Sequence, residues 1–325
     1  MKLTVSQESW PMVGTFRISR GSKTEANVVV VRLEQNGFTG WGECVPYPRY
    51  GESATSVMDQ ISDMRDALAA GLSRKGLIEA MPAGAGRNAL DAALWDLEAK
   101  SSERGVVNLG GFNPLQPLIT AYTIGLDSPE IMAEKAGEAA SRPLLKVKLG
   151  GKVDMDCINA VRVAAPDSRL IVDANEGWSL DELTRYDPQL ADLGVEMIEQ
   201  PLPAREDGCL EGFEHKVALC ADESCHTLGG LEDLCKRYDM INIKLDKTGG
   251  LTHALELADA AEKLDLTIMV GCMVGTSLAM APAFMVAQRA EFVDLDGPLL
   301  LANDRDPGFH FEGSLMHPPE PALWG

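Results

Sequence analysis

The sequence predicts an α/β protein: a (β/α)8 barrel of the TIM type preceded by a smaller α+β domain. Three observations predict it. From about residue 117 onward, short β-rich runs alternate with helical stretches, and eight such runs can be counted. Repeated βα units require a parallel sheet, and eight of them suggest a closed barrel. Before that point the order is strands first and helices after, the pattern of a segregated α+β domain. The charged residues of the second half also recur at the C-terminal ends of the β-rich runs, where barrels of this kind carry their chemistry.

The elements follow in chain order. Residues 10–20 (WPMVGTFRISR) and 26–44 (ANVVVVRLEQNGFTGWGEC) read as extended, and the Asn36-Gly37 pair inside the second run is a hairpin signal. Residues 46–53 (PYPRYGES) form a polar and aromatic loop. Helical patterns cover 54–71 and 86–101, with Leu90, Leu94 and Leu97 on one face of the second. These segments make up a first domain over residues 1–115. The barrel is expected over 116–300, with strands at LITAYTIG, LLKVKLG, RLIVDAN, EMIEQP, VALCADES, MINIKL, LTIMVG and FVDLDG. Helical stretches such as PEIMAEKAGEAA and THALELADAAEKLD separate several of them. An open doubly wound sheet would need a glycine-rich phosphate loop after its first strand, and TIGLDSPE is not one. The glycines at Gly84 and Gly86 follow no strand and suit a helix entry. Residues 301–325, rich in Pro and Gly, are expected to return and pack on the first domain.

Composition limits the function classes. With 45% hydrophobic and 24% charged residues over 325 positions, the chain has an ordinary globular make-up and enough length for a large core. A formal net charge of −20 argues against nucleic acid and anionic membranes as partners. No apolar run is long enough to cross a bilayer, and the first residues lack the apolar stretch of a secretory signal. Seven cysteines without a C-x-x-C pair suit reduced thiols, so a cytoplasmic enzyme is expected. Symmetric self-association is common for such proteins, although no segment marks an interface.

Lys146 and Lys148 close the second barrel strand, Asp173 and Asn175 the third, and Glu199 the fourth. Asp222 and Glu223 close the fifth, Lys244 the sixth, and Asp294 and Asp296 the eighth. Side chains two apart on a strand share a face, so these pairs can point together into the barrel mouth. Strands three, four and five are neighbours, and Asp173, Glu199 and Asp222 can converge on one point. Three carboxylates repel one another unless a hard divalent cation lies among them; Mg2+ suits an all-oxygen set, and the lack of His or Cys argues against zinc. Strands two and six are opposite in an eight-stranded ring, so Lys148 and Lys244 should face each other across the pocket. Two facing lysines can remove a proton from one side of a carbon and return one to the other. The cation would stabilise the enediolate that forms, and it would act with Lys146 to bring the pKa of Lys148 down to a useful value.

The runs K-V-K at 146–148, D-A-N at 173–175, E-Q-P at 199–201, A-D-E-S at 221–224 and N-I-K-L at 242–245 resemble the enolase superfamily, muconate-lactonizing subgroup. That resemblance implies a modified (β/α)8 barrel under an α+β capping domain. It also implies one Mg2+ on Asp173, Glu199 and Asp222, and Lys148 and Lys244 as the acid/base pair. The His–Asp base of mandelate-racemase-like members has no counterpart, since the seventh strand ends in VGCMVGT. Asp294-x-Asp296 resembles the ammonium-binding motif of dipeptide epimerases, and SRGSKTEA, GECVPYPRYGES, NALDAALWDL, CADESCHT and NIKLDKTGGLT look like the same group. The resemblance implies inversion of the C-terminal residue of a dipeptide, with L-Ala-D-Glu from murein peptides as the substrate. It also implies that Thr123, Lys146 and Cys272 line the substrate site. One of Arg20, Lys23 and Arg49, in the loops expected to cap the mouth, should pair with the glutamate side chain. Another dipeptide or N-acylamino acid racemase, a cycloisomerase or an o-succinylbenzoate synthase would use the same fold, and a non-catalytic barrel should have lost a lysine or a carboxylate.

Overall fold

A computed structural model describes all 325 residues. The chain opens with three antiparallel strands, β1 (Lys2–Ile18), β2 (Gly21–Gln35) and β3 (Phe38–Cys44), in that spatial order. Asn36 and Gly37 have φ of 51° and 86°, and Gln35 pairs with Phe38, so the hairpin turns on two residues in the left-handed region. Helices α1 (Ala54–Asp63), α2 (Arg65–Ala69), α3 (Arg74–Ala80) and α4 (Ala85–Ser101) follow. The single helix expected over 54–71 is broken at Met64, which brings Val57, Ile61 and Leu68 into one apolar cluster with Leu90, Leu94 and Leu97 of α4.

Helix α4 lies directly on β3. A Cβ at Gly42 would stand 2.1 Å from the Ala89 carbonyl oxygen, and one at Gly40 would stand 2.2 Å from that of Ala93. Only glycine at both positions lets helix and strand approach this closely.

After α5 (Gly105–Gly110), the chain enters the barrel region with β4 (Leu118–Ile119), β5 (Tyr122–Ile124), α6 (Pro129–Glu138), β6 (Leu144–Lys148), α7 (Asp154–Ala164), β7 (Arg169–Asp173), α8 (Leu180–Asp192) and β8 (Val195–Glu199). It continues with β9 (Ala218–Ala221), α9 (Leu231–Leu234), β10 (Met240–Ile243), α10 (Leu245–Thr248), α11 (Leu251–Lys263), β11 (Thr267–Gly271), α12 (Ser277–Ala287) and β12 (Phe292–Asp294). A final hairpin, β13 (Phe311–Glu312) and β14 (Leu315–Met316), follows. Strands β5 to β12 form one parallel sheet in sequential order. A parallel bridge from Thr120 to Val293 brings its first edge to its last, and the Ala121 N–H donates to the Val293 carbonyl at 2.7 Å. The first run, expected as one strand over 118–125, is therefore two: β4 pairs with β14 outside the barrel, and only β5 lies within it. Thr120 marks the change, its hydroxyl accepting from the Leu295 N–H at 2.8 Å.

One apolar cluster fills the lower barrel with a single residue from each strand or its leading edge: Ala121, Leu144, Ile171, Met197, Cys220, Met240, Met269 and Phe292. Two residues further along each strand come Thr123, Lys146, Asp173, Glu199, Asp222, Asn242, Gly271 and Asp294. The two-residue period of a strand thus sets a mostly polar layer on an apolar floor.

The C-terminal residues return to the first helices. The Trp324 indole donates to the Ala92 carbonyl at 3.0 Å, the Gly325 N–H to Asp96 at 2.7 Å, and the Val106 N–H to the Gly325 carbonyl at 3.0 Å.

Candidate active site

A cavity of about 500 Å3 opens over the polar layer, between the barrel mouth and the loops after β1 and β3. Thr123, Lys146, Lys148, Asp222, Lys244, Cys272, Asp294 and Asp296 line it, together with Arg20, Lys23 and Arg49. Asp173 and Glu199, each fully buried, contact the ammonium groups that line it.

Charge in this layer is organised by proximity. Lys146 Nζ lies 2.6 Å from Glu199 Oε2, 2.6 Å from Asp294 Oδ2 and 3.3 Å from Asp173 Oδ2. Lys148 Nζ is 2.6 Å from Asp173 Oδ2. Lys244 Nζ is 2.7 Å from Asp222 Oδ2 and 3.7 Å from Glu199 Oε1. Strands β6 and β10 are separated by β7, β8 and β9 on one side of an eight-strand ring, so Lys148 and Lys244 are on opposite walls. Gly271 on β11 leaves the room that Lys244 and Asn242 occupy: a Cβ there would meet Asn242 Nδ2 at 2.8 Å and Lys244 Cε at 3.1 Å.

Burial and charge pull the titrating groups in opposite directions. Burial disfavours the charged form of Lys146, but Asp294, Glu199 and Asp173 outweigh it and hold the ammonium well above the ordinary lysine range. Lys244 behaves alike, with Asp222 and Glu199 dominating its burial. Asp222 lies well below the usual carboxylate range because Lys244 and Lys247 overcome burial, and Asp173 is lowered in the same way by Lys148 and Lys146. Glu199 is raised, by burial first and by the charge of Asp173 second. The ammonium groups stand between the carboxylates and meet a demand for positive charge there. A hard divalent cation fits that demand, because the donors on adjacent strands are all oxygen.

At the far side of the cavity, Asp296 Oδ2 accepts from the Thr123 N–H at 2.7 Å. Burial and the neighbouring Asp294 push Asp296 up to about 7. Asp294 Oδ1 is buried without a hydrogen-bond partner, an acceptor left for an incoming donor. Burial, Asp294 and Asp296 hold the Cys272 thiol well above its usual value, so it is a neutral wall group.

The three rim cations are not equivalent. Arg20 donates to Glu223 at 2.6 Å, to the Asn175 carbonyl at 2.8 Å and to the Tyr47 hydroxyl at 3.2 Å. Arg49 makes a two-pronged contact to Glu176 at 2.9 and 2.8 Å. Lys23 has no carboxylate partner; it is exposed at the mouth, 5.3 Å from the centre of the Tyr47 ring.

Sequence reasoning passed over several supports. Lys247, fully buried, donates to Asp222 Oδ1 at 2.6 Å and to the Asn242 carbonyl at 3.0 Å. Asn242 donates to Glu199 Oε1 at 2.7 Å. Asn242 could have been found, since it lies two residues before Lys244 and so on the same face. Lys247 could not, because it reaches Asp222 from α10, outside the strand period. Phe16, Ile18, Tyr50, Met273, Val274 and Leu300 supply an apolar wall to which sequence reasoning gave no role.

Residues 1–111 match the family model of the mandelate racemase/muconate lactonizing enzyme N-terminal domain, and residues 131–321 that of enolase C-terminal domain-like proteins. The chain is 49% identical to the L-Ala-D/L-Glu epimerase of Escherichia coli strain K12, over 96% of this chain and 98% of that protein. It is 46% identical to an N-acetyl-D-glutamate racemase of Pseudoalteromonas, over 92% and 95%. A crystal structure of an enolase family member from Agrobacterium tumefaciens with homology to dipeptide epimerases superimposes with a TM-score of 0.98. It shares 55% identity, covers 99% of each chain, and holds sodium and L-Ala-L-Glu.

Proposed function

The chain belongs to the mandelate racemase/muconate lactonizing enzyme family of the enolase superfamily, and from that premise we propose that it is a Mg2+-dependent epimerase of dipeptides ending in glutamate, interconverting L-Ala-D-Glu and L-Ala-L-Glu. Its membership among epimerases and racemases makes it an isomerase. The observation that carries the finer reading is the pair Lys148 and Lys244, on opposite walls of one cavity whose far side ends in Asp294 and Asp296.

Asp173, Glu199 and Asp222 would hold the Mg2+, whose charge would stabilise the negative charge that gathers on the substrate carboxylate when the α-proton leaves. With Asp173, Glu199 and Asp222 engaged by the cation instead of by ammonium groups, the lysine that starts the reaction would be released to its neutral form and take the α-proton; the C–H pair delocalises into the carboxylate, and the facing lysine, as ammonium, donates a proton to the opposite side. The product is the other epimer, and no redox partner is needed. Asp294 and Asp296 would receive the terminal ammonium of the dipeptide. Thr123, through its N–H to Asp296, and Lys146, through its contact with Asp294, keep those carboxylates in place. Cys272 forms neutral wall between them and Lys244. Among the rim cations, Lys23 is the one free of carboxylate contacts and suits the γ-carboxylate. No helix is long and apolar enough to cross a membrane. A cytoplasmic role in recycling murein peptides accords with this substrate. A racemase of N-acylated glutamate is the second reading, favoured by the Pseudoalteromonas relative; the partnerless Asp294 Oδ1 favours a substrate with an ammonium group instead.

The test is solvent-deuterium exchange at the glutamate α-carbon of L-Ala-L-Glu and L-Ala-D-Glu, followed by NMR with Mg2+. Interconversion with deuterium uptake is expected, with inversion lost in Lys148→Ala and in Lys244→Ala. No exchange with either dipeptide, but turnover of N-acetylglutamate, would select the second reading. In the same assay Lys23→Met should lower the preference of kcat/KM for terminal Glu over terminal Leu about tenfold, equal to about 1.4 kcal/mol. An unchanged preference would remove Lys23 from that role.

A further inference from the structure

We propose that the C-terminal hairpin carries a second metal site, for a borderline transition-metal dication such as Zn2+, with His310, Glu312 and His317 as its protein ligands. The hairpin alternates by strand period. Phe311 pairs with Met316, which is fully buried, and Phe311 packs against the main core. The residues on either side of them face outward. His310 and His317 are cross-strand neighbours: the His317 N–H donates to the His310 carbonyl at 3.0 Å, and the ring centres lie 4.8 Å apart. Glu312 stands two residues after His310 and shares its face.

Two of the three ligand spacings are those of a coordination shell, and binding would draw the exposed His310 side chain towards His317 to close the third. Glu312 Oε1 lies 3.4 Å from His310 Nε2 and 3.1 Å from His317 Nε2, and the three ligand atoms all fall within 4.8 Å of one another. A tetrahedral zinc with bonds of about 2.0–2.1 Å has ligand-to-ligand edges of about 3.3 Å. Two imidazoles and a carboxylate form a donor set suited to zinc, unlike the all-oxygen set at the barrel mouth, so the two sites prefer different ions. His310 and Glu312 side chains are 69% and 62% exposed, which leaves the fourth position open to water.

The scaffold is held in advance of binding. Arg142 donates to the Gly313 carbonyl and to the Ser314 hydroxyl, both at 3.1 Å, across the hairpin turn. The Thr120 N–H donates to the Ser314 carbonyl at 2.9 Å, and β14 pairs with β4. Because β4 leads into β5 from its N-terminal end, the hairpin lies at the end of the barrel remote from the mouth. Bound metal would therefore act as a clamp on the hairpin without touching the catalytic cavity.

The test uses the full chain with saturating Mg2+, titrated with ZnCl2 by calorimetry in a non-chelating buffer and followed by Tm. One equivalent of Zn2+ should bind with micromolar affinity, and at about 100 times Kd it should raise Tm by about 4 °C. His310→Ala and His317→Ala should each weaken binding at least tenfold while leaving the zinc-free Tm unchanged, and Glu312→Gln should weaken it less. Absence of Zn2+ binding would overturn the proposal, as would equal affinity and stoichiometry in wild type and both histidine variants.

Discussion

Asp296 shows how a single residue can set a pH response. Its folded value near 7 reflects burial first and the charge of Asp294 second. In the free protein the carboxylate therefore takes up a proton as pH falls through about 7, and the negative charge that the proposed ammonium site relies on is lost. A bound ammonium favours the ionised form, so the value drops in the complex. The expected outcome is that kcat/KM for L-Ala-L-Glu declines below about pH 7 while kcat changes little. Asp296→Asn should remove that limb and raise KM about tenfold. The same acidic limb in the variant would place the titration on another group. Asp294 and Asp296 were legible in the sequence because side chains two apart on a strand share a face. The free oxygen on Asp294, and the difference between Lys23 and the two paired arginines, arise from contacts with residues far away in the chain.

At the scale of elements, β3 and α4 are shaped for one another. The G-W-G run of β3 places two glycines two residues apart, on one face, and the backbone of α4 passes over both. Gly42→Ala would drive a methyl group into the Ala89 carbonyl, and the helix would have to shift. A loss of about 3 kcal/mol in unfolding free energy is expected by urea titration. Wild-type stability would mean that α4 slides without cost. Helix starts were marked locally: Ser179 and Glu182 form a reciprocal cap on α8, and Ser128 caps α6 ahead of Pro129. The split of the first barrel run into β4 and β5 had no local mark, because LITAYTI is uniformly β-prone. What divides it is a partner, β14, almost two hundred residues away.

Across the whole molecule, three distant segments meet at Arg305. Its guanidinium is 2.6 Å from Glu43 on β3 and 2.8 Å from Glu8 on β1, and it donates to the Thr276 hydroxyl ahead of α12 at 2.7 Å. Glu43 is fully buried, and burial raises its pKa despite Arg305. Arg305→Met would leave that carboxylate without its counter-charge, at a cost of about 3–5 kcal/mol. The sign with pH follows from the raised value. Stability tied to Glu43 is present at low pH and is lost as pH rises through the folded pKa. The deficit of the variant in Tm should therefore shrink on acidification, and Glu43→Gln in the same chain should restore part of it. A deficit independent of pH would assign the loss to packing alone.

The sequence by itself determined the barrel, the strands-then-helices domain before it, and the ring of charge at the strand ends. Each rests on a short period: two residues along a strand for the polar layer over its apolar floor, three to four along a helix for the buried leucines of α4. These are properties of a few neighbouring residues, and they survive in any correct fold. Tertiary structure alone decided which cation at the rim is free, how Lys247 braces Asp222 from the following helix, where the first barrel strand begins, and that two histidines and a glutamate share one face of the last hairpin. Those outcomes depend on which surfaces are brought together over long separations, and no local pattern encodes the distance between two side chains on different elements.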